Sequence, residues 1–356
     1  MDTLVGYTFG DWLQLLKENK FSIDRSYWDR FLTVTMMSIF NSIRRRRELH
    51  DISEKITQID VFPPVFIIGH WRSGTTLLHN LISQDERFAF PKLFQTTNPH
   101  TFLLREQRAQ KIFENASAEQ RHMDNIRVSF NSPGEDEPAL AVLSLRSSLF
   151  SWIFPRNASY YNKFLTFENC EEIDRSKWIF AMDFFTRKLT LRYNRPILYK
   201  SPTHTAKLHL IHKLFPNAKF IHIYRNPYHV FQSTLNMYNQ VLCKSCLQLV
   251  DFDSLEDRII DEYVIMFDSY YSYVDQIPNG NLIEIRFEEF EENMERQVEK
   301  VYRGLDLPNF DEFRPTLISY ISSIADYKKN PYPELSKELK IKITNAWKRN
   351  IETWGY

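Results

Sequence analysis

Eight consecutive residues, Gly69-His-Trp-Arg72-Ser73-Gly74-Thr75-Thr76, have the spacing of a phosphate-binding loop. In the pattern G-x-x-x-x-G-K-[ST], glycines bend the backbone so that its N–H groups cradle an anion, and the lysine reaches the outer phosphates. Here both glycines and the hydroxyls are kept, but Thr75 stands where the lysine belongs and the cation has moved back to Arg72. Backbone N–H groups at the start of the helix that follows, helped by its dipole, still make an anion cradle. The loop is therefore expected to hold a phosphate while its charge is aimed elsewhere.

Two further cations stand at strand ends. Lys200 closes the apolar stretch 197–199, and Arg225 closes 218–224. Ligands of open α/β sheets sit beyond the carboxyl ends of strands, so Arg72, Lys200 and Arg225 should converge. A magnesium-dependent hydrolase would also want an acidic metal ligand at a strand end, and no aliphatic strand here ends in a bare aspartate. One cation alone would merely cap a neighbour; three at successive strand ends point to a polyanionic nucleotide held by side chains.

The elements that must position these residues follow from the periodicity. Residues 1–60 read as a helical extension packed on a single domain, 61–356. Pro63-Pro64 precedes the strand 65–68, and a helix follows over 75–83. Segment 88–161 carries loop signals around a helix near 139–149, and another helix covers 176–193. Then come strand 196–200, helix 205–215, strand 218–224 and a helix from Pro227 through Met237. A helix over 255–274, a strand over 282–287 and a helix over 288–304 complete the pattern. Strands alternating with helices through short connections make an α/β fold with a central parallel sheet flanked by helices, here with extra helical decoration.

The chain has 356 residues, with 45 Lys plus Arg against 45 Asp plus Glu, so no global field draws in nucleic acid. With 43% hydrophobic and 15% aromatic residues, it is an ordinary globular composition with rings to spare for a greasy pocket. Of the cysteines Cys170, Cys243 and Cys246, the Cys243-x-x-Cys246 pair lacks a second pair for zinc and follows a helix instead of opening one. Such cysteine usage suits a reducing, cytoplasmic setting, and the first 19 residues do not read as a signal peptide. The run Phe31–Ile43, followed by Arg44-Arg45-Arg46-Arg47, falls short of the ~20 apolar residues that span a bilayer. It reads either as a basic helix resting on an anionic membrane surface or as a packed helix whose C-terminal dipole favours arginine.

Three stretches, PPVFIIGHWRSGTTLLHNL, YKSPTHTAKLHLIHKLFPNAKFIHIYRNPYHVFQS and LIEIRFEEF, together resemble the nucleotide-dependent sulfotransferases, in particular the bacterial branch related to the tyrosylprotein enzymes. The resemblance covers about residues 63–305 and implies a P-loop-like sulfotransferase fold. It implies the donor 3′-phosphoadenosine 5′-phosphosulfate as co-substrate, with Arg72, Ser73, Gly74, Thr75, Thr76 and Leu77 at its 5′-phosphosulfate. Arg225 and Ser233 would grip the 3′-phosphate, and Lys200 would stabilise the leaving-group side of the sulfuryl bridge. In ADYKKNPYPELSK, Tyr327, Lys328 and Lys329 would touch the adenine or the 3′-phosphate. No metal is required, since arginine and lysine do the work of magnesium.

The acceptor side departs from the family. Where the tyrosylprotein branch carries a glutamate some twenty residues past the loop, this chain has Lys92 and Gln95. The candidates for the general base are His204 and the acidic turn Glu135-Asp136-Glu137, in which Glu137 is favoured; His100 and His79 stand behind them. The expected acceptor is a small-molecule alcohol, a sterol or other lipid alcohol before a carbohydrate or peptide tyrosine, because segment 88–161 is rich in Phe, Leu and Trp152. The rivals are a nucleotide-dependent kinase and a nucleotide-binding module without activity.

Overall fold

A computed structural model describes residues 3–113, 119–120, 127–325 and 334–356. Its frame is a four-stranded sheet of β1 (Val65–Ile68), β2 (Leu198–Lys200), β3 (Lys219–Tyr224) and β4 (Leu282–Arg286). The strand order is β2-β1-β3-β4 and every pair is parallel. Phe66 faces Tyr199 on one side and Phe220 on the other, so the loop after β1 emerges between the ends of β2 and β3. All four strands end on the same side, which is where the cations of the motif lie.

The strands are apolar on both faces because helices cover both. Successive side chains of a strand point to opposite faces, and two apolar clusters result. Phe66, Ile68 and Phe220 join one with Trp12, Val34, Trp178 and Trp347; Val65, Ile67, Ile221 and Ile285 join the other with Leu78, Phe290 and Leu317. Residues near the N-terminus thus share a core with the sheet.

Seven helices matter below: α1 (Phe9–Glu18), α2 (Trp28–Gln58), α3 (Thr75–Ile82), α4 (Glu137–Ser144), α5 (Glu172–Tyr193), α6 (Pro227–Ser245) and α7 (Leu255–Tyr273). Asn226 caps α6 by accepting from the N–H groups of Tyr228 and His229, and Pro227 follows at the first helical position, where its missing N–H costs nothing.

Four sequence expectations change. The helix expected over 205–215 is a 3-10 segment, Pro202–Lys207, that leads into a short helix, Leu208–Leu214. The side chains of that tight segment are drawn toward α4, as described below. The helix expected over 288–304 is broken at Asn293, whose side chain accepts from Arg296 N and restarts it. The helix from Pro227 continues past Met237 to Ser245. Finally, α2 runs for 31 residues, so Arg44–Arg47 lie in mid-helix. A helix dipole acts only near the last turn and cannot be what places them. Just beyond the arginines, buried Glu48 accepts from Lys188 of α5, which also donates to Pro99 O, and this pins α2 to the body.

Candidate active site

The loop after β1 is built by backbone shape. Gly69 (φ 142°), Arg72 (φ 69°) and Gly74 (φ 97°) take left-handed conformations. A Cβ on Gly69 would sit 2.3 Å from Ile223 O, and one on Gly74 would sit 2.2 Å from the Phe287 ring, so close approach demands glycine at both. Gly69 N donates to Thr205 Oγ1 at 2.8 Å, tying the loop to the segment after β2. Ser73 and Thr75 are buried at the start of α3, with Thr76 and Leu77 partly exposed beside them.

The three cations meet around this loop. The Arg72 Nε donates to Ser233 Oγ of α6 at 2.8 Å, and Arg225 Nη1 donates to Arg72 O at 3.1 Å. The Arg225 guanidinium lies 4.4 Å above the Phe287 ring, which orients it. Lys200 is buried at the end of β2 and donates to Thr76 Oγ1 at 3.3 Å and to Glu135 Oε1 at 2.5 Å. Arg72, Arg225 and Ser233 therefore form one cluster and Lys200 with Thr76 a second, on either side of the helix start.

The acidic turn resolves into three carboxylates with different surroundings. Glu137 is buried and accepts from Lys207 Nζ through both oxygens at 2.8 Å, from Ser147 Oγ at 2.6 Å and from Thr203 Oγ1 at 2.7 Å. Asp136 is buried against His204 Nε2 at 2.6 Å and accepts from Ser201 Oγ at 2.9 Å. Burial alone would raise the Asp136 carboxyl, but His204 and Ser201 outweigh it and hold it below the usual 3.8. Glu135 alone keeps about a third of its side chain (37%) in solvent.

This arrangement bears on the base candidates. His204 and Glu137 are almost wholly buried, out of reach of an acceptor's hydroxyl, and His204 Nε2 with both Glu137 oxygens is committed to the brace between the 135–137 turn and the 200–207 segment. Burial presses the Lys207 ammonium below its usual value despite Glu137. His79, within α3, is buried and pushed down to about 3, chiefly by desolvation and then by Lys200. His100 is buried against Asp11 of α1, with desolvation lowering it. His70 in the loop is also buried, pushed down to about 4, and its Nδ1 meets Trp71 O at 2.9 Å. Glu135 is the carboxylate that the sequence named only as a member of its turn. Its neighbours Gly134 and Pro133 signalled a turn, but not which of three acids would face out. Tyr327, Lys328 and Lys329 lie outside the described residues.

Residues that sequence reasoning missed are those that brace the loop: Thr205, Ser201, Lys207 and Phe287, joined by Asp136, which the sequence named only as part of its turn. Glu288, at the start of the helix that follows β4, accepts from Asn226 N at 3.0 Å and from Tyr356 Oη at 2.5 Å. Beside the loop, Trp71, Ser148, Leu149, Trp152, Asn162, Leu165 and Glu262 line a small cavity of about 10 Å³. The rings of Trp71 and Trp152 stand 6.3 Å apart across it. The side chain of Cys243 is not among those described, while Cys246 is buried with its Sγ against Trp152 O at 3.1 Å. Among the described residues, no group of three or more His, Cys, Asp or Glu side chains could hold a metal ion.

A loop that keeps its phosphate-cradling backbone but draws its cations from neighbouring strand ends belongs to sulfotransferases, and the family model for the sulfotransferase family matches residues 63–312. The chain belongs to that family and is an enzyme of the sulfotransferase class. Among curated relatives it is 31% identical over 353 residues to the omega-hydroxy-beta-dihydromenaquinone-9 sulfotransferase Stf3 of Mycobacterium bovis, covering 99% of this chain and 90% of that protein. The Stf3 protein of Mycobacterium tuberculosis matches to the same extent. The fold is shared with solved structures of sulfotransferase STF9 from Mycobacterium avium (TM-score 0.68, 14% identity, covering 98% of this chain and 96% of that one). It is shared equally with STF1 from Mycobacterium tuberculosis H37Rv (TM-score 0.66, 14% identity, 95% and 91% covered).

Proposed function

We propose that the enzyme moves a sulfuryl group from 3′-phosphoadenosine 5′-phosphosulfate to the hydroxyl of a lipid alcohol. The observation that carries the donor assignment is the division of side chains around one helix start: Arg225 and Ser233 on one side, Lys200 and Thr76 on the other, with Arg72 of the loop bonded to Ser233. Two separate cationic groups suit a donor with two separate anionic ends. On this reading Arg225 and Ser233 take the 3′-phosphate, with Tyr327, Lys328 and Lys329 as further contacts. The loop from Arg72 to Leu77 holds the 5′-phosphosulfate.

The acceptor oxygen then attacks sulfur, an O–S bond forms, and the bond from sulfur to the bridging oxygen breaks. Adenosine 3′,5′-bisphosphate leaves with the bonding pair. Negative charge grows on the bridging oxygen, and Lys200, which pairs with Glu135, turns to it. Stabilising charge where it develops is commonly the largest catalytic effect, worth ~3–4 kcal/mol per donor. The proton of the hydroxyl goes to Glu135, the one carboxylate of its turn that is about a third exposed and already beside Lys200. This replaces His204 and Glu137 in that role.

The lipid reading rests on the ring-lined cavity beside the loop and on the relative, whose name gives an omega-hydroxylated menaquinone as its substrate. About 10 Å³ is room for a single water, so entry of an acceptor requires Trp71 and Trp152 to part. An extended lipid alcohol suits this slot between rings better than a sugar does.

The test is transfer itself. Incubated with labelled donor and a lipid extract without added magnesium, the enzyme should add one SO₃ to an alcohol and release adenosine 3′,5′-bisphosphate. Lys200→Ala should lower kcat by ~10²–10³ while the bisphosphate binds as before. Binding of ATP with magnesium, and none of the 3′-phosphorylated nucleotide, would overturn the assignment in favour of a kinase.

A further inference from the structure

The outer face of α2 is apolar where a surface helix should be polar. Trp28, Leu32, Met36, Ile39 and Ile43 recur at helical spacing, and Phe40 stands at their edge; all six are exposed, Met36 to 59%. At 100° per residue they lie opposite the face that buries Val34, Ser38, Asn41, Glu48 and Ile52. No Asp, Glu, Lys or Arg occurs between Phe31 and Ile43. The same face then turns basic at Arg46, Arg47 and His50, which with Asp51 and exposed Leu104 line a surface groove. Arg44 lays its guanidinium 5.9 Å from the Phe40 ring. Asp29 at one end and Asp51 and Glu54 at the other are the acidic residues of this face.

The patch extends in two directions. Helix α1 runs antiparallel along the flank of α2, fixed by Trp12 Nε1 donating to Thr35 Oγ1 and Phe9 N donating to Ser42 Oγ, both at 2.9 Å, and it adds exposed Phe9 and Leu13. At the other end Phe21 and Leu249 are also exposed, and Leu249 N donates to Asp24 Oδ2 at 2.7 Å. From there the path to the active site is short. Arg30 of α2 donates to Cys246 O at 2.6 Å, and Cys246 Sγ rests on the carbonyl of Trp152, a wall of the acceptor cavity.

We infer that this face is an interfacial docking surface for an anionic bilayer, with α2 lying in the headgroup plane so that a lipid acceptor is delivered at its Trp28 end. An apolar stripe continued by arginines is the composition of helices that lie on membranes, and the arginines supply the complement to anionic headgroups. No described helix is long and apolar enough to cross a membrane, so the contact is with the surface. The delivery part rests on the lipid-acceptor reading; the docking part does not.

The experiment is flotation of the full chain with phosphatidylcholine vesicles, with and without phosphatidylglycerol. The wild type should float with the anionic vesicles, less so as salt rises. Arg46→Ala with Arg47→Ala should weaken partition by ~5-fold for each arginine removed. Met36→Ser with Ile39→Ser and Ile43→Ser should abolish flotation, with melting and turnover of a water-soluble short-chain alcohol unchanged. Both variants should raise KM for an acceptor embedded in vesicles. No flotation of the wild type, or flotation indifferent to both variants, would overturn the inference. So would a dimer in light scattering that the serine variant disperses, because a second copy would then cover the face. If the wild type floats but sulfates no lipid alcohol, docking stands and the acceptor assignment falls.

Discussion

Changing Glu137 to Gln tests whether the carboxylates of the acidic turn divide their labour as described. The side chain is almost wholly buried (2% exposed), and Lys207, its partner, is entirely so. In Glu137→Gln the amide retains one acceptor oxygen, while Lys207, Ser147 and Thr203 still bring three donors to it. Removing one member of a buried ion pair costs ~3–5 kcal/mol, because the remaining charge stays buried without compensation. For 356 residues the entropy of unfolding is about 0.75 kcal/mol/K, so Tm should fall by ~4–7 °C. Adding Lys207→Met should restore most of that loss, since an apolar side chain of similar length needs no counter-charge. Turnover measured well below Tm should change little. Glu135→Gln should do the reverse, lowering kcat by ~10²–10⁴ at unaltered Tm. Thermal melts and steady-state rates on the three variants decide the matter. A Glu137→Gln protein that melts normally and has lost its activity would refute the reasoning and return the base to that residue.

Further outcomes are expected on the donor side and in acid. Arg225→Ala and Ser233→Ala should each weaken binding of adenosine 3′,5′-bisphosphate by about 10- to 100-fold, the scale of a lost hydrogen bond to a charged group. Neither should alter binding of adenosine 5′-monophosphate, and calorimetry reads both. Gly74→Ala should eliminate donor binding and lower Tm, because its Cβ meets the Phe287 ring at 2.2 Å. Asp136 is held below 3.8 in the folded protein, so the stability it contributes is present above that pH and lost as pH falls through the folded value. Melts between neutrality and about pH 3 should show that loss, and Asp136→Asn should flatten it.

The sheet and its loop were legible because parallel strands here are short unbroken apolar runs bounded by proline and by cations. The type and order of Val65–Ile68, Lys219–Tyr224 and Leu282–Arg286 follow from that pattern. What escaped was pairing across distance. Glu135, Asp136 and Glu137 are consecutive acids, and their separate environments depend on a turn meeting a segment some 65 residues away. Local periodicity carries no record of that meeting. Likewise, Arg44–Arg47 look terminal only if the helix stops with its apolar run; it continues past them, and Glu48, buried and paired with Lys188, fastens it to the body.

The parallel order β2-β1-β3 has a consequence for how such an enzyme can diversify. Lys200 and Arg225 terminate the strands on either side of the central one, so their separation is set by two inter-strand steps of ~4.8 Å and by nothing in the connecting segments. The sheet works as a ruler cut to a fixed length. Apart from the 135–137 turn that braces Lys200 and the segment after it, segments 88–161 and 246–254 can be lengthened, shortened or recut to admit a new alcohol, and the gap that measures the nucleotide will not change.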